Sequence, residues 1–382
     1  MGRTDSRSAR LRGYLASDLG NAELAMALAE ELLLDGQPRD AYAVLADQPA
    51  SHTPEFRHRM AQLALSAGDY ALALQSLETL RAEHDSYVAV DHDHAFTLMC
   101  LRRLDDASDA TATALNKHGP HPSLQLLQGR LAMLSGDLDQ AVVVLSALAQ
   151  SQPKNAQVQG VLALALLDTD DLARAATHAA AAIALQEHQH EALLVLGSLA
   201  LQSAPPVAMR HFQLAVDTYP GSGRALSGLG QSQMLQGGIT AAEGTLIQAT
   251  RAMPEHLGTW HALAWSQLLQ GNVDAARTSF EHSYAVDHNF GDTHGGLALV
   301  HALQGRTAEA EDALKRALRL DPNSMTAQYA QVVLRSGRGE AALAQQGLAA
   351  LLDSAGIDAG MPVPVFADAL QRIVGGRAQP SR

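Results

Sequence analysis

The sequence has little cysteine, little lysine and few aromatic residues. A single cysteine, Cys100, excludes an intramolecular disulfide framework and fits a reducing compartment. Lysine occurs only at positions 117, 154 and 315, the formal net charge is −13, and no cluster of Lys and Arg could follow a phosphate backbone. Nucleic acid is therefore a poor candidate partner, and the charge balance favours a neutral, apolar or basic one.

Long hydrophobic runs are also missing. Asp, Gln, Arg or Gly interrupts every Ala/Leu-rich stretch before it reaches transmembrane length. The first residues, Met1 to Arg7, are polar and contain neither an apolar signal segment nor a lipid-attachment cysteine. We expect a soluble, cytoplasmic protein that does not insert into a membrane.

The apolar content is helix-forming. Hydrophobic residues make up 47% of the chain but aromatics only 4%, so Ala and Leu supply most of the apolar side chains. Small and unbranched side chains suit closely packed helices. Because β-branched residues are sparse and no segment alternates with period 2, the sequence predicts an all-α fold.

A turn motif recurs along the chain at 34-residue intervals. It begins at Gly68, Arg102, Gly136 and Asp170, and again at Gly237, Gly271 and Gly305. Between the two series, Ala204-Pro205-Pro206 replaces the turn, and that unit is one residue short. The pattern predicts nine two-helix units that begin at Ala22, Pro54, Val88, Pro122, Ala156, His190, Gly223, Leu257 and Gly291.

The segments outside these units are predicted to cap the array. Residues 1–21 form an N-terminal capping helix with Leu11, Leu15 and Leu19 at helical spacing, and the nine units span 22–324. Residues 325–382 hold a degenerate tenth unit starting at Met325, capping helices over 339–354 and 365–374, and a frayed tail over 375–382.

The units resemble the tetratricopeptide repeat. That family carries Trp, Leu, Gly and Tyr at positions 4, 7, 8 and 11 and Ala, Phe, Ala and Pro at 20, 24, 27 and 32. The eighth unit has the family residue at four of these, namely Trp260, Leu263, Ala276 and Phe280, and the small residue Ala264 in place of Gly at position 8. It departs at Gln267 and His288. The resemblance covers roughly residues 22–340 and implies a right-handed superhelical solenoid of antiparallel helix pairs.

The resemblance also implies where a partner would bind. In the family the first helix of each pair lines a concave groove, with positions 2, 5, 6, 9, 12 and 13 facing it. Carried over to this chain, these positions give a polar group, an apolar middle and an aromatic group. The predicted contact residues are His58, Arg59, Gln62, His92, Phe96, Leu126, Arg130, Leu164, Leu194, Gln231, Met234, His261 and Trp265.

Such a groove suits an amphipathic helix or an extended apolar peptide of a partner protein. An alternative is that Leu164 and Leu194 only pack against neighbouring helices. The Lys and Asn pair with which chaperone-tail-binding members hold a carboxylate is absent, since no unit has Lys at position 5 with Asn at position 9.

The sequence predicts no cofactor, metal or catalytic site. Its 17 histidines include dense groups around His92 and His188, but their i and i+2 spacing directs side chains apart on a helix. Cys100 has no orienting group or oxyanion hole and is interpreted as an apolar filler. Two glycines within a first helix, Gly295 and Gly296, leave open whether they permit close packing or make room for a ligand.

These observations favour a non-catalytic adaptor or scaffold that holds a segment of another protein. Bacterial relatives of this architecture often serve secretion, pilus or envelope assemblies, and the low-lysine composition is typical of a bacterial chain. Two alternatives stay open: a solenoid that self-associates into a homo-oligomer, and a regulatory subunit of an enzyme complex.

Overall fold

The computed structural model describes residues 7–46, 48 and 53–354. Within these ranges every regular element is an α-helix and no strand is present, which confirms the all-α prediction. The chain divides into two compact units, Met1–Pro153 and Lys154–Arg382. The predicted helix at 365–374 and the tail at 375–382 lie outside the described residues.

The first unit consists of one leading helix followed by helix pairs. Its helices are α1 (Arg7–Ser17), α2 (Ala22–Leu34), α3 (Pro38–Ala46), α4 (Pro54–Ser66), α5 (Tyr70–Glu83), α6 (Val88–Cys100), α7 (Leu104–His118), α8 (Pro122–Leu134) and α9 (Leu138–Ser151). From α2 onward, the two helices of each pair pack against each other, and α3, α5 and α7 also pack against the first helix of the next pair. Leu15 of α1 is buried against the first pair, whereas Leu19, just beyond α1, is 72% exposed.

The second unit repeats the pairing. Its described helices are α10 (Ala156–Asp168), α11 (Leu172–Leu185), α12 (His190–Ala200), α13 (Pro205–Thr218), α14 (Gly223–Leu235), α15 (Ile239–Ala252), α16 (Leu257–Leu269), α17 (Val273–Val286), α18 (Gly291–Leu303), α19 (Thr307–Leu320), α20 (Met325–Gly337) and α21 (Ala341–Ser354). Where the Gly turn is missing, α12 is shortened to 11 residues and α13 begins with Pro205, whose absent N–H is not needed at a helix start.

The turns inside the pairs form as the sequence motif predicts. Five glycines at the motif, from Gly68 to Gly305, have φ between 74° and 80°, the left-handed conformation that ends a helix. The next residue caps the second helix, since the Asp69 and Asp137 carboxylates accept hydrogen bonds from the backbone N–H groups of Leu72 and Gln140. Two units use a non-glycine residue there, Arg102 and Asp170, each with φ of 62°.

Small residues let the helices approach closely. A Cβ atom built on Gly129 would lie 2.5 Å from the Leu145 side chain, and one on Gly296 would lie 2.3 Å from the Phe280 ring. At Gly295 it would lie 2.9 Å from the backbone nitrogen of Ala327. The Gly295–Gly296 pair therefore permits close packing, which decides between the two interpretations that the sequence left open.

Candidate partner-binding surfaces

All thirteen predicted contact residues lie on the first helices of their pairs. Those of the first unit are on α4, α6 and α8, and those of the second unit are on α10, α12, α14 and α16. The structure separates them by burial into two groups, which follow their position within the repeat.

Most residues at position 5 are buried. The exposed fractions are 7% for His58, 9% for Leu126, 5% for Leu194 and 9% for His261, so these side chains offer a partner little surface. For both histidines, residues at the start of the next first helix form the cover. His58 contacts Tyr87, and His261 contacts Phe290 and Thr293. The prediction that position 5 faces the groove did not include this contact. His92 is only half-buried.

The predicted contact residues at position 9 are half-buried and keep part of their surface in solvent. Arg59 and Met234, from neighbouring positions on the same helices, behave alike. This second group contains Arg59, Gln62, Phe96, Arg130, Leu164, Gln231, Met234 and Trp265. A partner that touched the first helices would reach these side chains first.

A polar network connects α4 and α6 of the first unit. The Asp93 carboxylate lies 2.8 Å from His58 Nε2 and 3.0 Å from His92 Nδ1, and it accepts a hydrogen bond from the Gln62 amide at 3.2 Å. The Tyr87 hydroxyl lies 2.6 Å from His58 Nδ1, on the other side of that ring. The network ties α4 to α6 and to the loop between α5 and α6.

Asp93 was missed by the sequence analysis, although it is at the centre of this network. Burial by itself would raise the pKa of its carboxyl, but the hydrogen bonds from His58, His92 and Gln62 outweigh that effect and hold the pKa well below its usual range. Asp93 therefore carries a negative charge at neutral pH. Its place at position 6 was a signal, since that position belongs to the groove-facing set.

Two neighbours extend the first unit's surface. Arg59 forms an ion pair with Glu30 and also donates to the Gln62 side-chain oxygen at 3.4 Å. On the opposite side, the Phe96 ring stacks on the His92 ring with 6.2 Å between centroids. Polar and aromatic contacts thus alternate along the first helices of this unit.

In the second unit the partly exposed residues lean on apolar neighbours. Trp265 packs against the C-terminal core cluster, with 6.2 Å between its ring centroid and that of buried Tyr329. Met234 packs beside Leu246 and Leu263, and Leu164 packs beside Leu193 and Leu194. The alternative prediction for Leu164 and Leu194 therefore describes part of their role.

His261 is a neutral, buried link between two helix pairs. Its Nε2 atom lies 3.1 Å from Ser283 Oγ and 2.9 Å from Thr293 Oγ1, and its ring meets Phe280 and Phe290 edge-on. Burial lowers its pKa to about 4, against a small opposing effect from Asp292. This histidine is part of the core rather than of an open surface.

The described part of the chain offers little for a metal site, a nucleophilic cysteine or a membrane span. No group of three or more His, Cys, Asp or Glu side chains there could hold a metal ion. Burial raises the pKa of the half-buried Cys100 thiol, so it is a poor nucleophile at neutral pH. None of the helices in the same ranges has the length and apolarity that crossing a lipid bilayer requires.

Comparison with known proteins identifies the repeat. A family model described as tetratricopeptide repeat matches residues 161–223 and 261–325. These two segments are tetratricopeptide repeats. The matched segments cover all or most of the first helices α10, α12, α16 and α18 of the second unit, including the part of α16 that carries Trp265. No curated protein sequence matches the chain significantly.

Solved structures share the helical repeat fold of this chain. A human IFIT1 dimer with PPP-AAAA is 16% identical, with 99% of this chain and 96% of that chain covered and a TM-score of 0.56. A monomeric IFIT1 mutant with Gppp-AAAA is 15% identical, with 98% and 96% covered and a TM-score of 0.57. At such identities the likeness concerns the helical repeat fold alone.

Proposed function

We propose that this chain is a non-catalytic adaptor that binds a peptide or helix of a partner protein along its first helices. The observation that supports this most directly is the half-exposed group at position 9, above all Trp265. Large aromatic side chains anchored on one face and open to solvent on another are frequent energetic centres of protein interfaces.

The chemistry of the two units suggests a partner with both apolar and polar groups. The second unit offers Trp265, Met234 and Leu164, which suit an apolar or amphipathic segment. The first unit offers Arg59, His92 and the charged Asp93 network, which suits polar side chains of the same or another segment. The wider setting that we propose is a bacterial secretion, pilus or envelope assembly; its bacterial part rests on the composition of the chain and the assembly on analogy with bacterial proteins of this architecture.

A partner protein fits the charge better than RNA does, although the IFIT1 structures contain PPP-AAAA or Gppp-AAAA. The chain has 27 Lys and Arg against 40 Asp and Glu. Arginines on the first helices also form ion pairs, with Arg59 on Glu30 and Arg224 on Asp168. We expect no binding of a 5′-triphosphate tetra-adenylate in fluorescence anisotropy at moderate salt, and tight binding there would replace the proposal.

Affinity capture with matched variants tests the proposed function. The wild-type chain and Trp265→Ala are used as bait in a lysate of the source organism, with Leu214→Ala as the control. Leu214 is an apolar side chain on the second helix α13 and is 38% exposed. We expect one partner to be recovered with the wild type and the control but lost with Trp265→Ala.

Unchanged helicity and melting of Trp265→Ala must accompany that loss. Recovery of the same partner with all three baits would move the binding surface away from α16. Loss of folding by Trp265→Ala would instead show that the indole is required by the core, and Met234→Ala would then serve as the second variant of the same surface.

A further inference from the structure

The outer end of the first unit contains an open apolar pocket of about 360 Å³. It lies where α1 meets the first helix pair. Its floor and walls are formed by Leu15, Ala16, Leu28, Ala43 and Val44. The pocket is open to solvent, so part of this apolar surface is available for contact.

Two charges of opposite sign line the same pocket. Arg12 on α1 and Asp40 on α3 are both exposed and border the apolar floor. Within the ranges that the structure describes, neither side chain has an ion-pair partner of its own. Two other arginines of the first unit are paired with acids, the half-buried Arg59 with Glu30 and the exposed Arg103 with Asp106.

Leu19 also borders the pocket, and it is 72% exposed. This surface therefore contains both a projecting apolar side chain, Leu19, and an apolar pocket that could receive such a side chain. In a two-fold symmetric interface the same patch of both copies is in contact. The patch must therefore contain both a projecting side chain and a pocket, and both a positive and a negative charge. The patch made of Arg12, Leu19, Asp40 and the apolar floor satisfies both conditions.

We propose that this end patch, defined by Arg12, Leu19, Asp40 and the pocket they border, binds a second copy of the chain in a two-fold symmetric dimer. Leu19 of each copy enters the pocket of the other, and Arg12 of each copy pairs with Asp40 of the other. The proposal is independent of the partner-binding function, because it uses none of the first-helix residues assigned to that function.

Charge complementarity is the reason for choosing a second copy over an unrelated protein. A foreign peptide would need only one charged residue beside the pocket. A symmetric contact between two copies needs both charges, because it forms two Arg12–Asp40 ion pairs. A head-to-tail contact would bring this patch against a different surface, so Arg12 and Asp40 would not meet each other.

The test is the molar mass of the full chain measured by light scattering and sedimentation from about 1 µM to about 100 µM. We expect the wild type to reach the mass of a dimer within this range. Leu19→Glu, at an exposed position, is expected to weaken the dimer at least about tenfold without changing the melting temperature. Leu34→Glu is the matched control, since Leu34 is 81% exposed and does not border the pocket.

Charge reversal distinguishes the symmetric arrangement from others. Arg12→Glu alone and Asp40→Arg alone should each be monomeric, because like charges then meet at both contacts. An equimolar mixture of the two single variants should dimerise again, and so should the double variant, since each restores opposite charges at both contacts.

Three outcomes would overturn the proposal. A wild-type chain that stays monomeric over the whole range would leave the patch for another occupant. A dimer that survives Leu19→Glu would have its interface elsewhere. Single charge variants that are not rescued by mixing would show that Arg12 and Asp40 do not face each other. In none of these cases would the capture experiment at Trp265 change its result.

Discussion

Replacing His261 by glutamine should make the protein less sensitive to acid. The folded chain holds this imidazole neutral, with a pKa of about 4, while in the unfolded chain it titrates near 6.5. Between these values the unfolded state binds more protons than the folded state. Stability is therefore complete above about pH 6.5 and is lost as pH falls towards 4.

The size of the effect follows from the two pKa values. Going from about pH 7 to about pH 5, this single site should remove about 2 kcal/mol from the free energy of unfolding of the helix pairs that it joins. A repeat array need not unfold in one step, so hydrogen exchange of the α16 and α18 amides is a sharper measurement than global melting.

The comparison is between wild type and His261→Gln at each pH. Glutamine keeps polar groups for Ser283 and Thr293 but does not titrate, so the variant should start less stable at pH 7 and lose about 2 kcal/mol less on acidification. Parallel pH curves for the two proteins would refute the reasoning and assign the acid sensitivity to other groups. His94, whose pKa burial and the Arg81 charge lower to about 4, is the first alternative.

Four further substitutions test the turns, the helix packing and the Asp93 network. Arg102→Gly should raise the free energy of unfolding by about 1 kcal/mol in urea titrations, because glycine adopts the left-handed φ of 62° without the cost that arginine bears. Gly296→Ala should lower the free energy of unfolding by about 1–3 kcal/mol, since its Cβ would meet the fully buried Phe280 ring. The control Gly244→Ala, at an open site in a helix, should raise the free energy of unfolding by about 1 kcal/mol. Equal effects of the two substitutions would contradict the packing argument. Asp93→Asn should lower the melting temperature at neutral pH, and the difference from wild type should shrink only as pH falls below about 4, because the folded pKa is depressed; a difference that persists unchanged at low pH would place the loss in packing instead.

Local signals in the sequence were sufficient for the helices and their turns. Gly68 and Gly136 lie two 34-residue periods apart, and each is followed by Asp. Each Gly-Asp pair specifies a helix end and a helix start with residues that are adjacent in the chain. The proline pair at Pro205 likewise marks a helix start without reference to any distant residue. Helix ends and starts of this kind depend on residues that are adjacent in the chain, so the sequence pattern predicts them.

The surface was harder to predict because its exposure depends on contacts between repeats. Whether His58 is open or buried is decided by Tyr87, 29 residues later, and nothing in the sequence around His58 indicates that contact. Asp93 was missed for the same reason, since two of its hydrogen-bond partners lie on α4. At position 9 the predicted residues Gln62, Phe96 and Trp265 keep part of their surface in solvent, so the family pattern was the better guide there.

The contact at position 5 means that the repeats of this chain are not interchangeable. His58 is matched to Tyr87 and His261 to Phe290 and Thr293, whereas Gly160 leaves space that the Gln189 side chain fills, with its oxygen only 2.0 Å from where a Cβ would lie. Each repeat thus specifies the one that follows it. A recombinant chain in which two repeats of one unit are exchanged would keep every sequence feature that begins or ends a helix. It would lose these side-chain contacts between neighbouring repeats, so the order of the repeats is part of what the sequence specifies.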